Sequence, residues 1–172
     1  AEGLCNLPVT CGHDLTTKLN SVVRAQTVAI NASLIPLLRS LIVSVQNTLA
    51  SLAISAPLLV VKGDGSLMRA AVAVKRPVET ILSGPAASIV GAHRLSGLTD
   101  CWVVDIGGTT TDIGKLTRGR IDLNEAGSTI ADKRTMVESA DIYTIGLGGD
   151  SQVQVVNGGE IKLGPRRVVP LC

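Results

Sequence analysis

The sequence predicts an α/β domain, and three observations carry that expectation. Short aliphatic runs, Pro57–Val61 and Trp102–Ile106, have strand character and each feeds a glycine-rich loop. Longer stretches repeat apolar residues every three or four positions, the stripe of a helix lying on a core. Glycine-bearing turns at 118–120 and 157–159 then fold short strands back on their neighbours.

In chain order, residues 1–13 hold Pro8, Thr10 and Gly12 with little periodicity, an irregular lead-in that starts without a methionine and reads as part of a longer protein. Asp14 or Thr16-Thr17 would cap a short helix to about Arg24. A long helix is expected over roughly Gln26–Ala53, with Pro36 at a kink or in a first turn capped by Ser33. Its core stripe is Leu34, Leu38, Leu41, Ile42, Val45, Leu49 and Leu52. Pro57–Val61 is a short buried strand, and Lys62-Gly63-Asp64-Gly65-Ser66 is the loop at its carboxyl end, where ligands of open α/β sheets gather. Asp64 there serves either a site or its own Asx turn. Leu67–Val74 reads as one or two helical turns. Ser83 is an N-cap with Pro85 in the first turn, and Gly97 stops the helix that follows. Gly84, Ala87, Ser88 and Gly91 give that helix a small-residue face suited to close packing, with anion contact at its N-terminus as a secondary possibility.

Next comes Val103-Val104-Asp105-Ile106-Gly107-Gly108-Thr109-Thr110-Thr111-Asp112, the most informative stretch. Trp102–Ile106 fits a strand buried on both faces. Gly107-Gly108 permits positive φ and close backbone approach, and free N–H groups at such a turn attract anions. Thr109 and Thr110 can donate to phosphate oxygens, and Asp105 or Asp112 can hold a hydrated Mg²⁺. Ile113–Leu116 and Arg118-Gly119-Arg120 read as a return strand and turn, which makes a phosphate-binding hairpin distinct from a Walker loop or a dinucleotide-binding turn. A purely structural Gly-Gly hairpin is the plain alternative. Residues 121–137 are polar and mixed, and their pattern assigns no element. Asp141–Ile145 forms a strand ending in a second glycine-rich loop, Gly146–Ser151, able to close over the same ligand, and a last hairpin turns at Asn157-Gly158-Gly159.

Composition narrows the function classes. Apolar residues make up 45%, yet Phe is absent and Trp and Tyr occur once each, so the core is aliphatic and aromatic platforms for single-stranded nucleic acid are missing. A net charge of +2 with interspersed signs gives no basic footprint for DNA or an anionic membrane. Leu34–Val61 is apolar on average, but Pro36, Arg39, Gln46, Asn47 and Pro57 leave no run of about 18 uninterrupted apolar residues, so no membrane span is expected. Cys5, Cys11, Cys101 and Cys172 form no C-x-x-C pair, and Cys11 with His13 makes only half a metal site. A cytoplasmic location is the default.

Four phrases in order carry a resemblance: Val60–Leu67, Arg76–Ser88, Val104–Asp112 and Thr144–Ser151, with Leu7–His13 adding to them. Together they resemble the hydantoinase/oxoprolinase family (N-methylhydantoinase A-like), a branch of the superfamily of actin, sugar kinases and heat-shock chaperone ATPases. The resemblance implies an actin-like ATPase (ribonuclease H-like) domain, a mixed sheet with flanking helices. Residues 1–56 would be a helical segment packing on the core and 57–172 an actin-like half-domain, one compact domain overall. It implies an ATP-dependent hydrolase opening a cyclic amide such as a hydantoin or 5-oxoproline. Gly107, Gly108, Thr109 and Thr110 would cradle the phosphates of ATP, with Gly148 and Gly149 as further nucleotide contacts. Asp105 and Asp64 would be catalytic, and Asp105 and Asp112 would hold Mg²⁺. Superfamily members place nucleotide between two domains that each bring an Asp-x-Gly-Gly-Thr hairpin. This chain carries one, at 105–109, so its partner would be the remaining domain of the same protein or a second hydantoinase-type subunit. A non-catalytic nucleotide sensor and a subunit of an acetone-carboxylase-type enzyme are the alternatives.

Overall fold

A computed structural model describes residues 8–130 and 132–169; Cys5, Leu7 and Cys172 lie outside the described residues. Helix α1 is a single turn, Gly12–Leu15, and α2 spans Ser21–Ser51. Strands β1 (Leu59–Val61) and β2 (Leu67–Arg69) precede the turn α3 (Ala70–Ala73), a 3₁₀ turn at Pro77–Thr80 and helix α4 (Ser83–Ser96). Then come β3 (Cys101–Ile106), β4 (Thr111–Thr117), β5 (Arg120–Ile121), β6 (Leu123–Asn124), β7 (Thr129–Ile130), β8 (Lys133–Arg134) and β9 (Ser139–Ala140). Strands β10 (Tyr143–Ile145), β11 (Ser151–Val155) and β12 (Ile161–Arg167) close the order. Packing groups the described residues into two units, one reaching Ala87 and including Leu123–Ala140, the other formed by Ser88–Asp122 with the residues from Asp141 on.

In the first unit α2 is one helix. Asn20, not a residue near Gln26, starts it: its side chain accepts from the Val23 N–H at 3.1 Å. The short helix expected to reach Arg24 is only the α1 turn, and Cys11 precedes it without a side-chain cap. Pro36 sits inside α2. By length and composition α2 suffices to cross a membrane, yet its buried residues are Thr27, Asn31, Ile35 and Ile42. Two of those are polar, and protein groups satisfy them. Asn31 donates to the Lys75 carbonyl and to Thr10 Oγ1 and accepts from the Val78 N–H, while Thr27 Oγ1 accepts from the Met136 N–H. The buried stripe therefore differs from the expected one: Leu38 and Ile42 face the core, whereas Leu41 and Leu52 are exposed. Apolar residues surround this helix, so periodicity alone left its buried side open. Ile42, Met68, Ala70 and Ala73 form a small core with Leu38, Leu58, Val60 and Val74.

Residues 67–69 are a strand paired to β1, not the expected helix, and only Ala70–Ala73 turns helically. Nor is β1 fully buried, since Leu59 is exposed. Residues 121–137, left unassigned by their pattern, contribute to three short ladders, β5 (through Ile121) with β4, β6 with β9 and β7 with β8.

The second unit is an antiparallel sheet in the order β10-β4-β3, with β5 on β4. Every strand pairing among the described residues is antiparallel, which corrects the mixed sheet expected from the resemblance. The β4–β5 turn places Arg118 and Gly119 both at positive φ, as a two-residue hairpin of type I′ requires. Strand β3 is not buried on both faces. Its residues alternate, and Trp102, Val104 and Ile106 are exposed, as are their cross-strand neighbours' partners Tyr143 and Ile145. The opposite face meets α4: a Cβ on Gly114 would collide with Ile89 at 2.3 Å. Ala86 and Ile89 are the buried positions of α4, and a Cβ at Gly84 or Gly91 would meet nothing within 4 Å, so the small-residue face is not the packing face. Ser83 is the first helical residue rather than the cap, preceded by Leu82 at φ 62°. Gly97, at φ 71°, closes the helix by donating to the His93 carbonyl.

Candidate functional site

In the second unit, the register of β3 on β4 sets Asp105 directly opposite Asp112. Opposed residues of an antiparallel pair share a face with Cβ atoms about 5 Å apart, and like charges there are destabilising unless something compensates. Each carboxylate has one hydroxyl donor: Ser88 Oγ to Asp105 Oδ2 at 2.6 Å, and Thr144 Oγ1 to Asp112 Oδ1. Neither has a cationic partner among the described residues. Two facing acids lacking a counter-charge form a donor set suited to a divalent cation.

The turn between these strands is shaped by contact rather than by unusual dihedrals. Neither Gly107 nor Gly108 has positive φ. Glycine is needed because the second glycine loop lies against the turn: Gly149 N–H donates to the Gly107 carbonyl at 2.8 Å and Asp150 N–H to the Gly108 carbonyl at 2.9 Å. A Cβ on Gly148 would lie 2.6 Å from Gly107 and Gly108 backbone atoms, and one on Gly108 would lie 2.8 Å from Asp150 Oδ2. Thr111 Oγ1 adds a bond to the Leu147 carbonyl at 2.7 Å. The Gly107 N–H is taken by the Thr110 carbonyl, whereas those of Gly108, Thr109 and Thr110 bond to no other described residue. These amides without a described partner stand beside exposed Thr109 and half-buried Thr110, and donors grouped in this way are suited to an anion. The structure thus brings together Asp105, Asp112, Gly107, Gly108, Thr109, Thr110, Gly148 and Gly149.

Asp64 belongs to the other unit, where it lines a polar cleft of about 400 Å³ with Lys62, Arg76, Glu79, Glu138 and the His13–Lys18 segment. Gly63 fixes this loop: its N–H donates to the Glu79 carbonyl, its carbonyl accepts from the Ala140 N–H, and a Cβ would sit 2.1 Å from the Ile81 carbonyl oxygen. Asp64 Oδ1 accepts from the Ser66 N–H and hydroxyl, an Asx turn, while Oδ2 pairs with Lys62 Nζ at 3.0 Å. Lys62 also reaches Glu79 at 3.3 Å, and Arg76 completes the chain on the other Glu79 oxygen. Burial pushes the Asp64 pKa up, but the Ser66 bonds and Lys62 outweigh it and hold the carboxyl below its usual range. Burial likewise works against charged Lys62, and the bonds and charges of Asp64 and Glu79 outweigh it, so its pKa rises. On the same unit Cys11, His13 and Asp14 offer ligand atoms within 4.8 Å of one another, so Asp14 supplies a third group beside the pair noted in the sequence.

Several site residues escaped sequence reasoning. Ser88 holds Asp105 rather than making room for packing. Glu79 ties Lys62 to Arg76. Arg167 pairs with Asp150 at 2.6 Å, a contact legible only once the hairpin register sets Ser151 opposite Arg167.

The family model described as Hydantoinase/oxoprolinase matches residues 24–169. The chain belongs to the hydantoinase/oxoprolinase family. Among curated proteins it is similar to the caprolactamase subunit alpha of Pseudomonas jessenii, 27% identical over 161 residues, which cover 92% of this chain and 23% of that protein. Among solved structures it resembles the ATP-dependent caprolactamase of Pseudomonas jessenii, with TM-score 0.71 and 28% identity over 91% of this chain and 23% of that one. It also resembles nucleotide-free acetone carboxylase, from work on ATP-dependent acetone carboxylation, with TM-score 0.68 and 20% identity over 91% of this chain and 22% of that one. The last likeness is one of fold. This member of the family thus spans under a quarter of the length of these relatives.

Proposed function

We propose that this chain binds the phosphates of ATP at the Gly107–Thr110 turn and is the nucleotide-binding part of an ATP-dependent hydrolase that opens a cyclic amide of hydantoin or 5-oxoproline type. The observation that carries this reading is the turn, whose unpaired amides stand beside two facing carboxylates. The sequence relative, a caprolactamase named as ATP-dependent, acts by its name on a lactam, itself a cyclic amide.

The residues fit MgATP by their chemistry. Amides of Gly108, Thr109 and Thr110 and the threonine hydroxyls suit phosphate oxygens, and Asp105 with Asp112 suits a hydrated Mg²⁺. MgATP, when bound, supplies a phosphoryl group able to activate an amide oxygen toward hydrolysis. The chain's own residues position: Ser88 orients Asp105, Thr144 orients Asp112, and the Gly148-Gly149 backbone braces the turn. For Asp64 the proposed role is to hold Lys62 Nζ at the wall of the polar cleft. Partnership with the rest of a longer polypeptide or a second hydantoinase-type subunit, and a cytoplasmic location, belong to the same proposal.

The test is thermal melting with and without MgATP for the native chain and for Gly108→Val. Ligand at a hundred times its dissociation constant stabilises the native chain by about 2.7 kcal/mol, and the valine variant, whose side chain meets Asp150, shows no shift. No shift in the native chain at millimolar MgATP overturns the proposal, and equal shifts in both place the nucleotide away from this turn.

A further inference from the structure

The phosphate turn has an electrostatic deficit. Asp105, Asp112 and Asp150 bring carboxylates to the two glycine loops, and a polyphosphate would add more negative charge beside them. A Mg²⁺ held by Asp105 and Asp112 would offset those two carboxylates, but backbone amides alone do not balance Asp150 and the polyphosphate. A guanidinium suits such an anion by its planar fork of donors. The described contacts bring one cationic side chain to the loops. Arg167, on β12, donates from Nη2 to Asp150 Oδ2 at 2.6 Å. That same carboxylate oxygen lies against the bare face of Gly108. Asp150 is well held: its side chain is 19% exposed, its N–H donates to the Gly108 carbonyl, and its own carbonyl accepts from the Val168 N–H. Among the described residues Arg167 is held at one nitrogen only, and its side chain is 53% exposed. A guanidinium carries five donors, so most of the fork remains open.

We propose that Arg167 is the anion-binding side chain of the glycine turn, positioned by Asp150 so that its free guanidinium donors reach a bound polyphosphate. The inference rests on the phosphate reading of the turn and adds to it the side chain that neutralises the ligand. Asp150 is a positioning residue: it fixes one nitrogen of the fork beside Gly108 and leaves the others for the anion. Lysine at 167 would keep the charge and lose the planar fork.

The probe is inorganic triphosphate, titrated calorimetrically onto the 172-residue chain with and without Mg²⁺. Arg167→Ala is expected to weaken binding about tenfold or more, and Arg167→Lys to fall between it and the native chain. Asp150→Asn should weaken binding alone but add nothing to Arg167→Ala, because the two act as one unit. Native affinity in Arg167→Ala, even with a lowered melting temperature, assigns the pair a purely structural role and overturns the proposal. Additive losses in the double variant overturn the positioning role of Asp150. Gly108→Val separates the two levels. If it abolishes binding while Arg167→Ala does not, the turn binds phosphate and only the arginine assignment fails. If the native chain binds no triphosphate, the phosphate reading fails and the arginine assignment with it.

Discussion

The polar cleft of the first unit and the glycine turn of the second are both built around an aspartate beside glycine, in Gly63-Asp64-Gly65 and Gly149-Asp150, yet their polar groups end in opposite conditions. In the cleft both Asp64 oxygens are occupied, and Lys62 is shared between Asp64 and Glu79, which Arg76 also meets. At the turn the amides of Gly108, Thr109 and Thr110 have no acceptor among the described residues, two carboxylates face one another, and Arg167 spends one nitrogen on its described partner. Internally matched charges support a fold. Donors without acceptors and acids without cations among the described residues are the groups that the proposed ligand would satisfy.

The largest expected effect falls on the closed region. Gly63→Ala forces a methyl into the Ile81 carbonyl and should destabilise by about 3 kcal/mol, lowering the melting temperature by about 6 to 12 °C. An unchanged melting temperature would mean the loop yields, and the contrast between a rigid cleft and an open turn would collapse. A smaller effect is expected from pH. The Asp64 carboxyl sits below its ordinary 3.8 in the folded chain, so its contribution is full at neutral pH and lost as pH falls through the depressed value. Lys62 sits above 10.5, so its contribution is full below that and lost as pH rises through the raised value. The difference in melting temperature between native and Asp64→Asn proteins should therefore shrink from pH 7 to about pH 3; a difference of equal size at both would remove Asp64 from the account. The smallest effect is a gain. Gly91→Ala, in a helix interior with nothing within 4 Å of the new methyl, should stabilise by about 0.5 to 1 kcal/mol in urea melts, and a loss would show that α4 is packed there after all.

Much of the site was legible residue by residue. The Gly-Gly hairpin between Asp105 and Asp112, the second glycine loop at 146–151 and the Asn157-Gly158-Gly159 turn all stand where their residues predict. The reason for the glycines was only half legible: positive φ and close approach of a ligand were the expectations at 107–108, and close approach of the chain's own Gly148 and Asp150 is the cause seen. A glycine tolerates both, so its identity cannot distinguish them. The same holds for α4, where Gly84 and Gly91 look like a packing face and are not one. For α2 the apolar residues cover too much of the circumference to pick a side, and buried Thr27 and Asn31 decided it through partners far along the chain. Residues 121–137 lacked a pattern because their ladders are two residues long, too short for a period-two signal.

By itself, the sequence determined the local features. These are the helix stop at Gly97, the turns at Arg118-Gly119 and Gly158-Gly159, the strand character of 101–106, and the ordered phrases by which the chain belongs to its family. Those depend on near neighbours along the chain, where backbone preference and residue spacing act directly. Tertiary structure alone decided which acids are neutralised and which are not, that Ser88 serves Asp105, and that Arg167 meets Asp150 beside the glycine turn. The physical reason is that a hydrogen bond or ion pair acts over about 3 Å, and register and packing choose which distant residues come that close.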